Sequence, residues 1–448
     1  MSAEKKMGIQ LSDHFTYSRL FRFTLPSIVM LIFSSLYGVV DGFFVSNFVG
    51  KEAFTAVNFI MPFLMILGAI GFLFGTGGGA LIARTMGEGN PELANRQFSL
   101  VVYVSLGIGV ILTVLGFWLL RPVASFLGAE GVLLEDCVRY GRVILLANPA
   151  YILQYEFQCL FATAQKPKLG LYVTVASGLA NMVLDALFVA VFPWGLEGAA
   201  AATALSQCVG GLLPLLYFGR KNSSRLRLTR TQWMGRALLK VCGNGSSELL
   251  SNISMSLVSM LYNVQLLRYA GQDGVASYGV LMYVMLVFQS IFIGYSIGVA
   301  PVVSYQYGAK NSVELRGLRQ KSLRVIGAAA VLMFAVALLS AEPLSRIFVG
   351  YDVALLDLTL HAFSIYSFSF LFAGFSIFAS AFFTALNDGL TSAVISFVRT
   401  LVFQVVCVLV FPLIWGVDGI WLAIVGAEML AVAVSAGFLV IKRKKYGY

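Results

Sequence analysis

TLPSIVMLIFSSLYGVVDGFFV, residues 24–45, decides the fold class: in the whole stretch one side chain is charged, Asp41, seated between Val40 and Gly42. A helix crosses the hydrocarbon core of a bilayer with roughly 20 consecutive apolar residues, so this segment is long enough to span. Runs of the same kind recur along the chain, and we place spans at 21–46, 53–83, 97–120, 139–163, 169–192, 196–218, 237–267, 275–305, 323–341, 356–385, 391–412 and 418–441. They are too long and continuous for the short alternating strands of an outer-membrane barrel. The expected fold is therefore an all-α integral membrane protein of about twelve transmembrane helices. Composition agrees: of 448 residues, 59% are apolar and 12% charged, with a mean hydropathy of +0.85. That leaves too little polar surface for a water-soluble globule.

A net charge of +10 could suggest nucleic acid, but its placement points to a membrane. Lys5, Lys6, Arg19 and Arg22, then Arg84 and Arg96, Lys166 and Lys168, the cluster from Arg220 to Arg236, the cluster from Lys310 to Arg324, and Lys442 to Lys445 fall in alternate loops. The intervening loops lean acidic, with Glu130, Glu135, Asp136, Glu197, Asp273, Glu342, Asp352, Asp357 and Asp418. Arg121, Arg139 and Arg346 are exceptions on the acidic side. This positive-inside pattern predicts a plasma-membrane protein with both termini cytoplasmic and an even number of spans. Cys137, Cys159, Cys208, Cys242 and Cys407 show no CxxC spacing, so neither a disulfide framework nor a zinc site is expected. The charged N-terminus runs into the first apolar stretch without a small-residue cleavage pattern, which reads as a retained span.

The two halves of the chain resemble each other. GEGNPELANR from Gly87 lies against GAKNSVELRG from Gly308, GLEGA from Gly195 against GVDGI from Gly416, and FVG ending at Gly50 against YAG ending at Gly271, all at an offset of 221. Such self-similarity marks the internal repeats of transporters, and six spans per half leave both halves in the same orientation. We divide the chain into an N lobe over 1–228 and a C lobe over 229–448, joined by the basic segment between Arg220 and Arg236.

Ionisable groups at membrane depth are costly unless they face protein or water, so each is a functional candidate. Asp41 lies in the first span; Asn181 and Asp185 of LANMVLDALF share a helix face at i, i+4; Thr203 lies in the alanine-rich sixth span, where a neighbouring backbone can approach closely. Two carboxylates converging in a poorly hydrated pocket take up a proton or share a cation, which would make them a coupling site. The bland alternative is that both line a wet cavity. At the common offset Asp185 meets Val406 and Asp41 meets Tyr262, so an acidic ion site is confined mainly to the N lobe. Pro26 reads either as a helix-loosening proline or as an ordinary first-turn one. Tyr37, Gln154, Glu156, Glu248, Tyr278 and Met282 are candidates for a substrate cavity, with packing as the alternative for each; Arg399 and Glu428 read as partners of neighbouring helices.

On TLPSIVMLIFSSLYGVVDGFFV, GLANMVLDALF with GLEGAAAATALSQ, and ASYGVLMYVMLVFQSIFIGYSIGVAPVVSYQYGA, the chain resembles the multidrug and toxic compound extrusion (MATE) family, in its DinF-like and MepA-like bacterial branch. The resemblance runs over the whole chain. It implies two six-helix bundles forming a V, and export of cationic, amphiphilic small molecules in antiport with H+ or Na+. In DinF-like members a cation site uses an acid of the first helix, an Asn and Asp of the fifth and a Thr of the sixth, the pattern of Asp41, Asn181, Asp185 and Thr203; Pro26 would bend the first helix. The second acidic cluster of NorM-like members has at best a partial substitute in Glu248.

Other classes lack their parts. A lipid-linked oligosaccharide flippase of the same superfamily would show a more cationic central cavity, whereas here nearly all Lys and Arg sit in loops. With only His14 and His361, and no HExxH or GxxxxGK[ST], metal and ATP hydrolysis are not expected. GYSIG, residues 294–298, and FGTGGGA from Phe74 fall inside apolar helices and read as packing. No pore motif of a channel is legible. The expectation is a monomeric exporter of drugs or metabolites, not an enzyme, with no cofactor beyond the coupling ion and no nucleic-acid partner.

Overall fold

The computed structural model describes residues 9–350 and 352–448, so Lys5 and Lys6 lie outside the described residues. Every regular element among the described residues is helical. The N-terminal half comprises α1 (Tyr17–Phe44), running on into a π-helical turn (Val45–Val49), α2 (Lys51–Gly87), α3 (Pro91–Phe126), α4 (Gly131–Leu146), α5 (Asn148–Thr163), α6 (Pro167–Asp185) with a π-turn (Ala186–Val191), and α7 (Gly195–Gly219). After a non-helical segment come α8 (Gly235–Gly308), α9 (Ser312–Val349), α10 (Val353–Ser367), α11 (Phe370–Ala385), α12 (Gly389–Phe397), a π-turn (Val398–Val402), α13 (Phe403–Trp415), α14 (Val417–Ile441) and α15 (Arg443–Tyr446).

The 74 residues of α8 would extend about 110 Å if straight, more than twice a bilayer. Gly271, at φ 66° and ψ −156°, breaks the helix. The chain doubles back, because the rings of Tyr262 and Tyr278 on the two sides of that glycine stack 5.3 Å apart at 3°. Counting α8 twice, α4 with α5, α10 with α11 across a 48° bend, and α12 with α13, the chain makes twelve crossings. The predicted spans are recovered with shifted ends. The span expected at 139–163 begins at Gly131 and is interrupted at Ala147, just before Pro149. The one expected at 323–341 reaches from Ser312 to Val349, because hydropathy marks only the part in lipid while the helix continues through Arg316, Arg319 and Lys321.

The internal repeat is written in the turns. Asn90 and Asn311, 221 residues apart, both cap helices, accepting from Leu93 N at 3.0 Å and Glu314 N at 3.1 Å. The paired glycines at 50 and 271, and at 195 and 416, all take positive φ where one crossing reverses into the next.

The lobes meet through the same repeat. A side chain on Gly87 would strike the backbone of Tyr305, and one on its counterpart Gly308 the backbone of Arg84. Deeper in, a Cβ on Gly77 would lie 2.8 Å from Gly245 N, and one on Gly298 3.1 Å from Thr24 Cα. Since Gly298 is the repeat partner of Gly77, and Gly245 of Thr24, these two contacts are one contact generated twice by pseudo-twofold symmetry. Ser35 Oγ and Ser290 Oγ, 2.5 Å apart, extend the seam to mid-membrane. These contacts lie in the half of the molecule nearer the basic loops. There a strap preceding α1 crosses between lobes: Phe15 N donates to Glu314 Oε1 at 2.9 Å, Gln306 Nε2 to Leu11 O at 2.9 Å, and Lys321 Nζ to Phe15 O at 2.6 Å. Leu11 and Phe15, both in the strap, have fully buried side chains.

On the opposite face two of the three basic exceptions have acid partners. Arg121 pairs with Glu135, and Arg346 with Glu342 at 2.6 Å.

Candidate coupling site in the N lobe

Asp41, Asn181, Asp185 and Thr203 come from three helices, and the fold brings them together. Thr203 Oγ1 on α7 donates to Asp41 Oδ1 on α1 at 3.2 Å. Asp185 ends α6 and interacts electrostatically with Asp41, and Asn181 lies one turn earlier on the same face. Asp41, Asn181 and Asp185 are all buried, Asp185 completely. Both carboxylate oxygens of Asp185 and both amide atoms of Asn181 are buried and face Asp41, but make no hydrogen bond of ordinary geometry to it or to any other group. Unsatisfied groups of this kind are rare in native interiors and mark a ligand, an ion or a chemical role.

Local sequence explains the convergence. The alanines at 199, 200 and 202 are fully buried and let α7 approach its neighbours. Gly178 makes room for Tyr37, whose Cδ1 lies 3.0 Å from where a side chain would begin. The backbone leaves regular α geometry just after each acid, in the π-turns at Val45–Val49 and Ala186–Val191, a distortion common at functional sites.

A polar chain leads away from the acids. Ser206 Oγ donates to Thr203 O at 2.8 Å, Ser177 Oγ to Ser206 O at 2.7 Å, and Gln154 Nε2 lies 3.5 Å from both Ser177 Oγ and Tyr37 Oη. Tyr140, absent from the sequence-based candidates, is fully buried beside Asp41, Asp185 and Thr203. It was hidden because the span was expected to begin at residue 139; with α4 beginning at Gly131, Tyr140 lies more than two turns inside.

The remaining candidates are elsewhere. Pro26 is inside α1, well past its first turn, so the first-turn reading is corrected: the ring removes a helical hydrogen bond to the Arg22 carbonyl. Glu156 is corrected from cavity wall to lobe interior: it is fully buried and accepts from Ser105 of α3. Tyr278 is likewise corrected to packing, buried against Tyr262, and Met282 packs half-buried on the same core. Glu248 is half-buried on α8, within electrostatic reach of Arg399 and, across the lobe boundary, of Cys159. Arg399 grips Glu428, with Nε 2.9 Å from Oε2 and Nη2 2.9 Å from Oε1. In the C lobe the place of Asp41 is taken by Tyr262, which donates to Gln404 Oε1 at 2.8 Å, and that of Asp185 by Val406, so neither acid has an acidic counterpart at its repeat position. Among the described residues no three His, Cys, Asp or Glu side chains group as a metal site. Two acids with an amide and a hydroxyl suit a proton or a monovalent ion.

Two homologous six-span lobes, with a buried acidic pair in one of them, define a polytopic membrane transporter. The chain belongs to the MatE family, whose model matches it twice, over residues 26–187 and 249–410, once in each lobe. Members of this family are transporters and not enzymes. Among curated relatives, the multidrug export protein MepA of Staphylococcus haemolyticus is 26% identical over 326 residues, covering 72% of this chain and 70% of its own. MepA of Staphylococcus aureus strain MRSA252 is 22% identical over 424 residues, covering 93% and 92%. Among solved structures, a MATE protein in complex with MaL6 superimposes with a TM-score of 0.93 at 23% identity, covering 99% of both chains. An outward-facing MATE family transporter of the MOP superfamily gives 0.92 at 23% identity, over 98% of this chain and 99% of that one.

Proposed function

We propose that this chain is a secondary multidrug exporter of a bacterial plasma membrane, working as a monomer with its basic face and both termini in the cytoplasm. Inward movement of H+ or Na+, loaded at Asp41, Asn181, Asp185 and Thr203, drives outward release of cationic, amphiphilic small molecules. The observation that carries this reading is the buried Asp41–Thr203 contact at 3.2 Å with the unpartnered atoms of Asn181 and Asp185 beside it. A bare pair of carboxylates is unfavourable there, so binding of a cation changes the energy of the lobe strongly. A ligand shifts an equilibrium between two arrangements only through its differential affinity for them. Coupling therefore requires that the arrangement of α1 against α6 and α7 differ between loaded and unloaded states, with Pro26 as the point where α1 yields. The seam along the basic half supports a resting arrangement closed to the cytoplasm. The neutral Tyr262–Gln404 pair supports a single ion site. Names of the MepA relatives support drugs as cargo.

The test is ethidium efflux from membrane vesicles with sodium and pH gradients imposed separately. One gradient should drive export by the native chain, and Asp41→Asn or Asp185→Asn should reduce it at least tenfold at equal protein level. Undiminished gradient-driven export by both variants would end the coupling proposal.

A further inference from the structure

Two peptide segments cross between the lobes on the basic face. One is the linker, which runs from α7 to α8 over α3. Arg227 N donates to Asn95 Oδ1, Thr229 N to Ser99 Oγ and Thr231 Oγ1 to Arg96 O, each at 2.8 Å, and Leu226 is fully buried. The other is the strap, which enters α1 from α9. Phe15 N donates to Glu314 Oε1 at 2.9 Å, Lys321 Nζ to Phe15 O at 2.6 Å and Arg324 Nη1 to Tyr17 Oη at 3.1 Å. His14 Nδ1 lies 2.6 Å from Glu314 Oε2, and Gln306 Nε2 on α8 donates to Leu11 O at 2.9 Å. The two segments touch where Arg225 Nη2 donates to Gln10 Oε1 at 2.6 Å.

The repeat relates these two crossings. α3 begins at Pro91 and α9 at Ser312, 221 residues apart, so the first helix of each lobe is preceded by a segment pinned to the third-crossing helix of the opposite lobe. The linker joins the lobes covalently, whereas the strap holds the C lobe through side chains. Glu314 and Gln306, 6% and 2% exposed, grip backbone groups of the strap, and a hydrogen bond to a carboxylate is stronger than one between neutral groups. The strap carries its own turn, with Gln10 N donating to Asp13 Oδ2 and Asp13 N to Gln10 O, both at 3.1 Å. Where it joins α1, Thr16 Oγ1 accepts from Arg19 N at 3.4 Å, a long bond, and residues 16–19 are exposed. Hinges are built from a few loop or element-terminal residues of this kind, which absorb backbone rotation between rigid parts.

From this symmetry we infer that residues 11–17 form a second hinge between the lobes, the non-covalent counterpart of the linker, carried by the C lobe and anchored on Glu314. When the lobes part on the basic side the strap stays on α9, and the first turn of α1 takes up the rotation. Such a tie keeps the lobes in register once the glycine contacts of the seam have opened. Glu314 is then a positioning residue, acting through the strap on the cytoplasmic end of α1. The inference rests on the rocking of two lobes in the transport reading, and not on which ion drives it.

The experiment is a short bismaleimide bridge between Ser12→Cys and Val313→Cys, in the full chain freed of its native cysteines. Both positions are exposed and line one cavity at the joint of strap and α9. Bridging should run to completion without any gradient, and the bridged chain should export ethidium near the rate of the unbridged one. Failure to bridge, or export that stops on bridging, overturns the hinge, because the strap would then have to leave the C lobe. Bridging yield is read without transport, so its failure is distinct from that of the transport reading, which shows as no gradient-driven export by the native chain. In a second arm, Glu314→Leu with Gln306→Leu removes both grips on the strap backbone. Export should fall about tenfold with equilibrium ethidium binding unchanged, while Glu314→Gln, which keeps an acceptor for Phe15 N, should export near the native rate. Native-level export by the double Leu variant, or an equal loss in Glu314→Gln, overturns the anchoring role of Glu314.

Discussion

Thr203 and Asp41 show how much one hydroxyl can decide. Thr203→Val keeps the shape of the side chain and removes the donor to Asp41, at a cost of about 1–2 kcal/mol. If the site binds the driving ion, the half-saturating ion concentration for export should shift by about tenfold while expression is unchanged. Arg399 tests a different kind of residue. Arg399→Met leaves Glu428, 2% exposed, without its partner, and breaking such a pair from one side costs about 3–5 kcal/mol. The melting temperature should fall steeply and recover in the Arg399→Met, Glu428→Leu double variant. The sequence located these side chains by their rarity in apolar helices. It set Asp41 and Asp185 apart as a coupling pair, but could not tell that Glu156 is buried within the lobe against Ser105 rather than facing a cavity, because neither burial nor partners are local properties of the chain.

Among elements, the inter-lobe glycines carry the sharpest consequence. Gly245→Ala would drive a methyl into the Leu73 carbonyl, and such overpacking costs about 1–3 kcal/mol. Gly38→Ala meets nothing within 4 Å and should raise stability slightly, as expected for glycine replaced within a helix. Thermal unfolding of the pair separates packing from propensity. Close to the same stretch of α8, where Asn244 donates to Asn387 Oδ1 at 2.9 Å, α15 is tied down through Asp388. Burial alone would push that carboxyl up, but donors from Tyr446, Thr391 and Lys442 outweigh it and hold it below its ordinary value. A depressed carboxylate contributes stability that is complete above its unfolded value and is lost as pH falls through the folded one. Hydrogen exchange at residues 442–448 should therefore accelerate below about pH 4, and Asp388→Asn should show the fast exchange already at neutral pH. Element positions were legible from hydropathy; their ends were not, because α9 and α4 continue through charged residues outside the lipid.

For the whole molecule the expected behaviour is two rigid lobes that part and meet along the seam. Ser35 and Ser290 face each other across it at 2.5 Å. In a background free of the native cysteines, Ser35→Cys with Ser290→Cys should cross-link under mild oxidation and stop export, and reductant should restore it. A cross-linked chain that exports at the native rate would mean that the seam does not open during the cycle.

The apolar runs by themselves determined that the chain lives in a membrane, and the alternating charge and the repeat at 221 determined its two-lobed plan, since both properties are local or periodic in the chain. Only the tertiary structure decided which polar groups share a pocket. Asp41, Asp185, Thr203 and Tyr140 are far apart in sequence, and their meeting depends on how closely the alanine and glycine faces of α6 and α7 let three helices pack.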